Sequence, residues 1–318
     1  MIEVAVLSKA KLALTLGTLI VLSTGWAVPL SGAARSFAQR SRTGTRNDQV
    51  PALLPIRFRD DSNAGLLVTG WINGAGPFTF AIDTGAGASI ITTNVVAKAK
   101  LQVSKSARQL VGGLSTSRIQ SNEETHAGQI ALGSRDNTVP GNPSLAVVST
   151  LPGMIDGILD PTDLFGQLAY SIDLPRRQLL AFDAKVNGLD LHTPPKDGAI
   201  VRWVRESGSD RPFVRLGDGR LALLDTGSGF GLAVTDGIIG GRNHRGRQGT
   251  DLGGGTIQSR TVEPTTVSIG DLVLRNIPTE LLLGVAPKTP LILGRGALFP
   301  FKITFEPTSR LIIFEPTK

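Results

Sequence analysis

The tripeptide Asp-Thr-Gly occurs twice in this chain, at Asp83-Thr84-Gly85 and at Asp225-Thr226-Gly227, each time directly after a short apolar run. The first run is Phe78-Thr79-Phe80-Ala81-Ile82 and the second is Leu221-Ala222-Leu223-Leu224. One aspartate at a strand end is ordinary turn chemistry. Two in matching settings describe a duplicated half-site that could bring two carboxyl groups face to face. Such a pair, sharing one proton, can activate a water molecule for amide hydrolysis. The ionised member takes the water's proton while the neutral member polarises the carbonyl. Like charges a few ångströms apart resist double ionisation, so one pKa rises and the two groups titrate as a pair.

The duplication runs well past three residues. A glycine-rich stretch follows each aspartate, Leu110-Val111-Gly112-Gly113-Leu114-Ser115 in the first half and Leu252-Gly253-Gly254-Gly255-Thr256-Ile257 in the second. Next come strand-like segments ending in an apolar residue and glycine, at residues 128–133 and 266–270. An apolar run then appears in each half, Ile155-Asp156-Gly157-Ile158-Leu159-Asp160 and Pro290-Leu291-Ile292-Leu293-Gly294, followed by helix-like pieces at 163–169 and 295–299. Both halves close on a hairpin signature, residues 170–182 and 301–314. The spacing of the two aspartates makes this a domain-sized repeat rather than a solenoid period.

These elements must position the carboxylates. From Ile56 onward the periodicity is short and strand-like, and Asn73-Gly74-Ala75-Gly76 and Gly217-Asp218-Gly219 are turn signals, so each Asp-Thr-Gly follows the second strand of a hairpin. The 38 glycines favour many turns and short strands, and hydrophobic residues at 41% suffice for packed cores. We therefore expect one lobe over 50–186, a connection over 187–198 containing Pro194-Pro195, and a second lobe over 199–318.

The N-terminus reads as a targeting segment. Lys9 and Lys11 precede the apolar run of residues 12–22, and small residues follow through Ala34. That order fits a secretory signal over 1–34, cleaved after Ala27, Ala33 or Ala34, or an uncleaved membrane anchor. Residues 35–49, rich in Ser, Thr and Arg, read as a flexible linker. The expected location is exported: periplasmic or anchored to the inner membrane.

At this point the chain resembles the retropepsin-like and pepsin-like aspartic proteases, with two tandem lobes in one polypeptide as in an exported aspartyl protease of bacterial type. The motifs that carry the resemblance occur in the same order in both halves, over roughly 55–316. It implies an all-β fold of two similar β-barrel-like lobes of acid-protease type, pseudo-two-fold related, each with a short helix. It implies an aspartic endopeptidase acting on an extended polypeptide as a single-chain pseudo-dimer, with no cofactor and no metal. Carried over by position, Asp83 and Asp225 are catalytic, and Thr84 and Thr226 bond across the lobe interface. Gly85 and Gly227 let the backbones approach closely, and Gly112, Gly113, Gly253 and Gly254 lie in flaps that cover substrate. Ser228 stands where the first half has Ala86. Its hydroxyl could donate to Asp225, so the expectation is that Asp225 ionises more readily and Asp83 carries the proton. The family's apolar-apolar-Gly motif is intact at Ile292-Leu293-Gly294 but reads Ile158-Leu159-Asp160 in the first half, where Asp160 is expected to cap a helix or turn.

Other chemistries lack support. Cysteine is absent, which removes disulfides, thiol nucleophiles and Cys-ligated zinc. His126, His192 and His244 are widely spaced, and no G-x-S-x-G, P-loop or H-E-x-x-H motif occurs. The net charge of +7 comes from scattered Lys and Arg with little aromatic interleaving, which gives nucleic-acid binding no footing. Two rival readings stand beside the enzyme: a peptide-binding module of the same fold without turnover, and an obligate dimer pairing Asp83 with Asp83.

Overall fold

The computed structural model describes residues 3–6, 53–112, 114, 119–206, 209–235, 246–250, 255–285 and 289–317. The chain is mostly β, with 55% in strands and, among the described residues, three α-helices, consistent with an acid-protease-like fold. The helices are Thr93–Ala99, Pro161–Phe165 and Arg295–Leu298.

The two halves build sheets of the same order. In the first, the strands run Arg59–Asp61, Gly65–Ile72, Ala75–Ile82, Gly157–Leu159, Ser89–Thr92, Ser144–Val148, Ile119–His126 and Val103–Gly112. In the second they run Val204–Glu206, Ser209–Arg215, Leu221–Asp225, Leu291–Gly294, Leu232–Val234, Leu272–Leu283, Thr256–Ile269 and Gly246–Thr250. Each sheet contains the expected hairpin as its second and third strands. In the first half the turn is Asn73-Gly74, both with positive φ (49° and 76°), the conformation a two-residue connection between right-twisted strands requires. In both halves the later apolar run inserts parallel to the strand that ends at the aspartate. Leu159 pairs with Ile82, and Gly294 pairs with Asp225. The strands so inserted are buried on both faces, which is why Gly157–Leu159 and Leu291–Gly294 read as continuous apolar runs rather than alternating ones.

A third sheet of six strands joins the halves. The closing hairpins, Ala169–Asp173 with Gln178–Phe182 and Phe301–Glu306 with Leu311–Pro316, pair through their inner strands, Tyr170 opposite Phe305 and Ile172 opposite Ile303. Tyr170 stacks on Phe305 with ring centroids 4.9 Å apart, and Trp203 meets Phe305 edge-on at 6.0 Å. One continuous core cluster runs from Leu53 and Ile56 through Tyr170 and Ile172 to Ile303 and Phe314. Residues 183–198 hold no helix or strand; Asp183 and Asp190 each accept two backbone N–H bonds there and fold the connection into turns.

One helical expectation needs correction, and one helix lay outside the expectations. The first-half helix spans Pro161–Phe165, not 163–169, because Asp160 caps it, Pro161 starts it and Gly166 (φ 60°) ends it, after which Ala169 begins a strand. The helix Thr93–Ala99 was not anticipated; its seven residues, two of them β-branched valines, are too few to show a helical period.

Glu3–Val6 pairs antiparallel with Leu272–Arg275 along the second sheet. Among the described residues no helix is long and apolar enough to cross a membrane. The signal or anchor expected over 1–34 lies, apart from residues 3–6, outside the described residues, as does the linker over 35–49.

Candidate active site

The strands Ala75–Ile82 and Leu221–Asp225 deliver the two Asp-Thr-Gly loops to the same place. The loops lock to one another through their threonines. Thr84 N–H donates to Thr226 Oγ1 and Thr226 N–H to Thr84 Oγ1, both at 3.1 Å. Each hydroxyl then donates onward across the interface, Thr84 to the Leu224 carbonyl (2.7 Å) and Thr226 to that of Ile82 (3.2 Å). All four bonds are buried, so each donor that lost its partner would stay dry and unpaired.

The glycines allow the carboxyl groups to approach. A Cβ placed on Gly85 would stand 2.6 Å from Asp225 Cγ, and one on Gly227 would stand 2.5 Å from Asp83 Cγ. Each carboxyl group therefore rests against the opposite loop's glycine, where no other residue fits. The two carboxyl groups are hydrogen-bonded to each other. Asp83 Oδ1 accepts the Gly85 N–H at 2.7 Å, and Asp225 Oδ1 accepts that of Ser228 at 2.9 Å.

Burial raises both pKa values above the ordinary carboxylate range. Asp225 is pushed well above it, by desolvation first and then by the negative charge of Asp83. In Asp83 the rise from desolvation is opposed by N–H donation from Gly85, the bond from Asp225, the Gly227 N–H and the charge of Arg295. The pair therefore holds a proton where ordinary carboxylates are ionised. The contact expected from the Ser228 hydroxyl is not made. The Ser228 hydroxyl does not donate to Asp225; it accepts the Phe230 N–H at 3.3 Å, and only the Ser228 backbone reaches the carboxylate.

The half-sites differ in how their loops are backed. In the second half, Arg295 N–H donates to the Ser228 carbonyl (2.8 Å) and Gly296 N–H to that of Phe230 (2.9 Å), and a Cβ on Gly294 would stand 2.5 Å from the Phe230 oxygen. In the first half Pro161 stands where Arg295 does and has no N–H to offer. The residue before it can then carry a side chain. Asp160, 3% exposed, caps the helix by accepting the Thr162 N–H at 2.9 Å, while its own N–H donates to Ser89 Oγ at 3.1 Å. Burial, then the charge of Asp163, push its pKa up to about 8.

Arg295 is the residue that sequence reasoning missed. Its side chain is buried beside the second loop, with Nη1 donating to the carbonyls of Thr226 (2.8 Å) and Gly227 (2.9 Å). Nη2 donates to the Asp61 carbonyl (2.9 Å), and Nε pairs with Asp60 Oδ1 (3.0 Å). An arginine after a glycine reads like any solvated one; only burial against residues 60–61 reveals it.

Of the flap residues, Gly112 ends its strand opposite Ile119, near the tip of the hairpin Val103–Gly112 with Ile119–His126. Gly113, Gly253 and Gly254 lie outside the described residues; the second stretch is flanked by the pair Thr250 with Thr256, which closes a corresponding hairpin. His126 and His192 are exposed, and His244 lies outside the described residues. No group of three or more His, Asp or Glu arranged to hold a metal occurs among the described residues.

Residues 68–159 match the family model described as Aspartyl protease, which supports an aspartyl protease family and hence a hydrolase. The matched segment carries the first Asp-Thr-Gly and the inserted strand Gly157–Leu159. No curated protein matches the chain.

Proposed function

We propose that the chain is an aspartic endopeptidase whose site is assembled from Asp83 and Asp225 within a single polypeptide. The observation that carries the reading is the mutual approach of two buried carboxyl groups that share a hydrogen bond, each seated on the other loop's glycine. A shared-proton pair of this kind is the established device of aspartic proteases as a class. In this reading a water molecule binds between the carboxyl groups. Ionised Asp83 removes its proton as the oxygen attacks the scissile carbonyl carbon, and protonated Asp225 donates to the carbonyl oxygen. Collapse of the tetrahedral diol breaks the C–N bond: Asp83 gives its proton to the leaving amine while a diol hydroxyl returns its proton to Asp225, so the pair regains its starting state and the acid product is released. The substrate is an extended polypeptide lying between the lobes, covered by hairpin tips at Gly112-Gly113 and Gly253-Gly254 that pair with its backbone. The protein acts as a monomer without cofactor, and it is exported, periplasmic or membrane-anchored, as the pattern of residues 9–34 supports. Cleavage after Ala27, Ala33 or Ala34 would remove Glu3–Val6 and bare the sheet edge at Leu272–Arg275.

Digestion of a peptide library by the protein, read by mass spectrometry from acid to neutral pH, tests the reading. Pepstatin-sensitive internal cleavage is the expected result. Peptide binding without cleavage at any pH would replace the enzyme with a binding module.

A further inference from the structure

Two arginines of the second half reach the two Asp-Thr-Gly loops, and they use their donors differently. Arg295 commits Nη1 to the carbonyls of Thr226 and Gly227, Nη2 to that of Asp61 and Nε to the Asp60 carboxylate. Arg211, on the strand Ser209–Arg215, lies across the first loop at Gly87, two residues past Gly85. A Cβ on Gly87 would stand 3.1 Å from Arg211 Cδ and 3.2 Å from Cγ, and Gly87 has a φ of 67°. The loop therefore bears no side chain there, and the arginine stem rests on its backbone. The guanidinium carbon sits 5.4 Å from the ring centroid of buried Phe213. Trp203 Nε1 donates to the Arg211 carbonyl, and Arg211 Nε donates to Ser209 Oγ, both at 3.0 Å. Among the described residues, that is the one hydrogen bond the side chain makes, and no carboxylate pairs with it; the neighbouring Asp210 is engaged by Arg205. The two Nη groups are left open. A guanidinium held at its stem, its Nε and its face is preorganised, and its planar fork matches the two oxygens of a carboxylate.

We propose that Arg211 is a specificity-determining residue: its open Nη groups bind a carboxylate of the substrate, the side chain of a Glu or Asp lying two or three residues from the scissile bond. This rests on the peptidase reading above and deepens it by naming the substrate class, polypeptide segments that carry an acidic residue beside the cleaved bond. The position follows from reach. Gly85 is where the Asp225 carboxyl group rests, and two residues of chain from Gly85 to Gly87 span at most about 7 Å. An extended substrate advances about 3.3 Å per residue, so the side chain that meets Arg211 belongs to the second or third residue from the bond. The second loop offers no matching receptor. Its corresponding residue, Gly229, has Arg295 Nη2 as the nearest cation, and that group already donates to the Asp61 carbonyl. Recognition of the acid is therefore confined to one side of the scissile bond, which gives the cleft a direction.

The test uses the full-length protein and peptide pairs that differ only in Glu or Gln at the second or third position on either side of one cleavable bond, and it reads the ratio of kcat/KM within each pair. The unsubstituted protein should favour Glu by about 10-fold or more at positions on one side of the bond, the worth of a charge-assisted contact. In Arg211→Met the preference should vanish. Arg211→Lys should keep part of it, because a point charge replaces the fork, and Arg211→Glu should favour Lys over Gln at the same position. Equal rates for Glu and Gln at every position in the unsubstituted protein overturn the proposal, whether or not any variant folds. A Glu preference that survives in Arg211→Met overturns it too. If no peptide is cleaved, fluorescence anisotropy of the labelled Glu and Gln peptides reads the same ratio as Kd. Tighter binding of the Glu peptide without cleavage would sink the peptidase reading and leave the acid subsite standing; equal binding, or none, would sink the subsite.

Discussion

Asp160 is a buried carboxyl group standing where the second half has Gly294. Its folded pKa of about 8 stands above the ordinary value of 3.8. The proton it holds when folded therefore adds stability that is complete below about pH 4 and is lost as pH rises through about 8. For so buried a group the loss is on the order of a few kcal/mol. Asp160→Asn keeps the acceptor for the Thr162 N–H and cannot ionise. The variant should show a flatter dependence of urea-unfolding stability on pH between 4 and 8, and greater stability than the parent at pH 8. The aspartates, threonines and glycines of the two loops were legible in the sequence because the repeat displays them twice. Arg295 and the orientation of the Ser228 hydroxyl were not. The partner of Arg295 at Asp61 is 234 positions away, and a hydroxyl's direction depends on whichever backbone N–H is nearest.

At the scale of elements, the site is a joint between two strand ends. Thr226→Val would strip the acceptor from the Thr84 N–H and the donor from the Ile82 carbonyl in a buried setting. The unpaired groups should cost about 1–3 kcal/mol in unfolding free energy, read as a lower denaturant midpoint at unchanged m-value. Gly227→Ala puts a methyl group where Asp83 Cγ lies 2.5 Å away. Displacing that carboxylate by even about 1 Å should reduce kcat/KM by about 10²-fold or more while the far-ultraviolet circular dichroism stays that of the parent. The hairpins that lead to each aspartate were readable from turn residues and apolar runs. The helix Thr93–Ala99 was not, because its formation depends on packing Val95 and Ala99 into the core rather than on a pattern of its own.

Across the whole molecule, the repeat was visible in the order of motifs, and the matched eight-strand orders of the two sheets express it in three dimensions. The six-stranded sheet that joins the halves was foreshadowed only as two hairpin signatures; which strands meet could not be read, since register is set by partners distant in sequence. Because both aspartates come from one chain, proteolytic rate should be first order in protein down to concentrations at which a dimer would dissociate; a second-order dependence would favour pairing of Asp83 with Asp83 between chains. The account's central claim is that the two aspartates form one functional unit around a common water. Peptide cleavage by Asp83→Asn, Asp225→Asn and the double variant tests it most directly. Residues acting as a unit lose activity non-additively, so all three should fall to the same residual rate, at least about 10³-fold below the parent. A single variant that keeps the parental rate, or losses that multiply in the double variant, would contradict it.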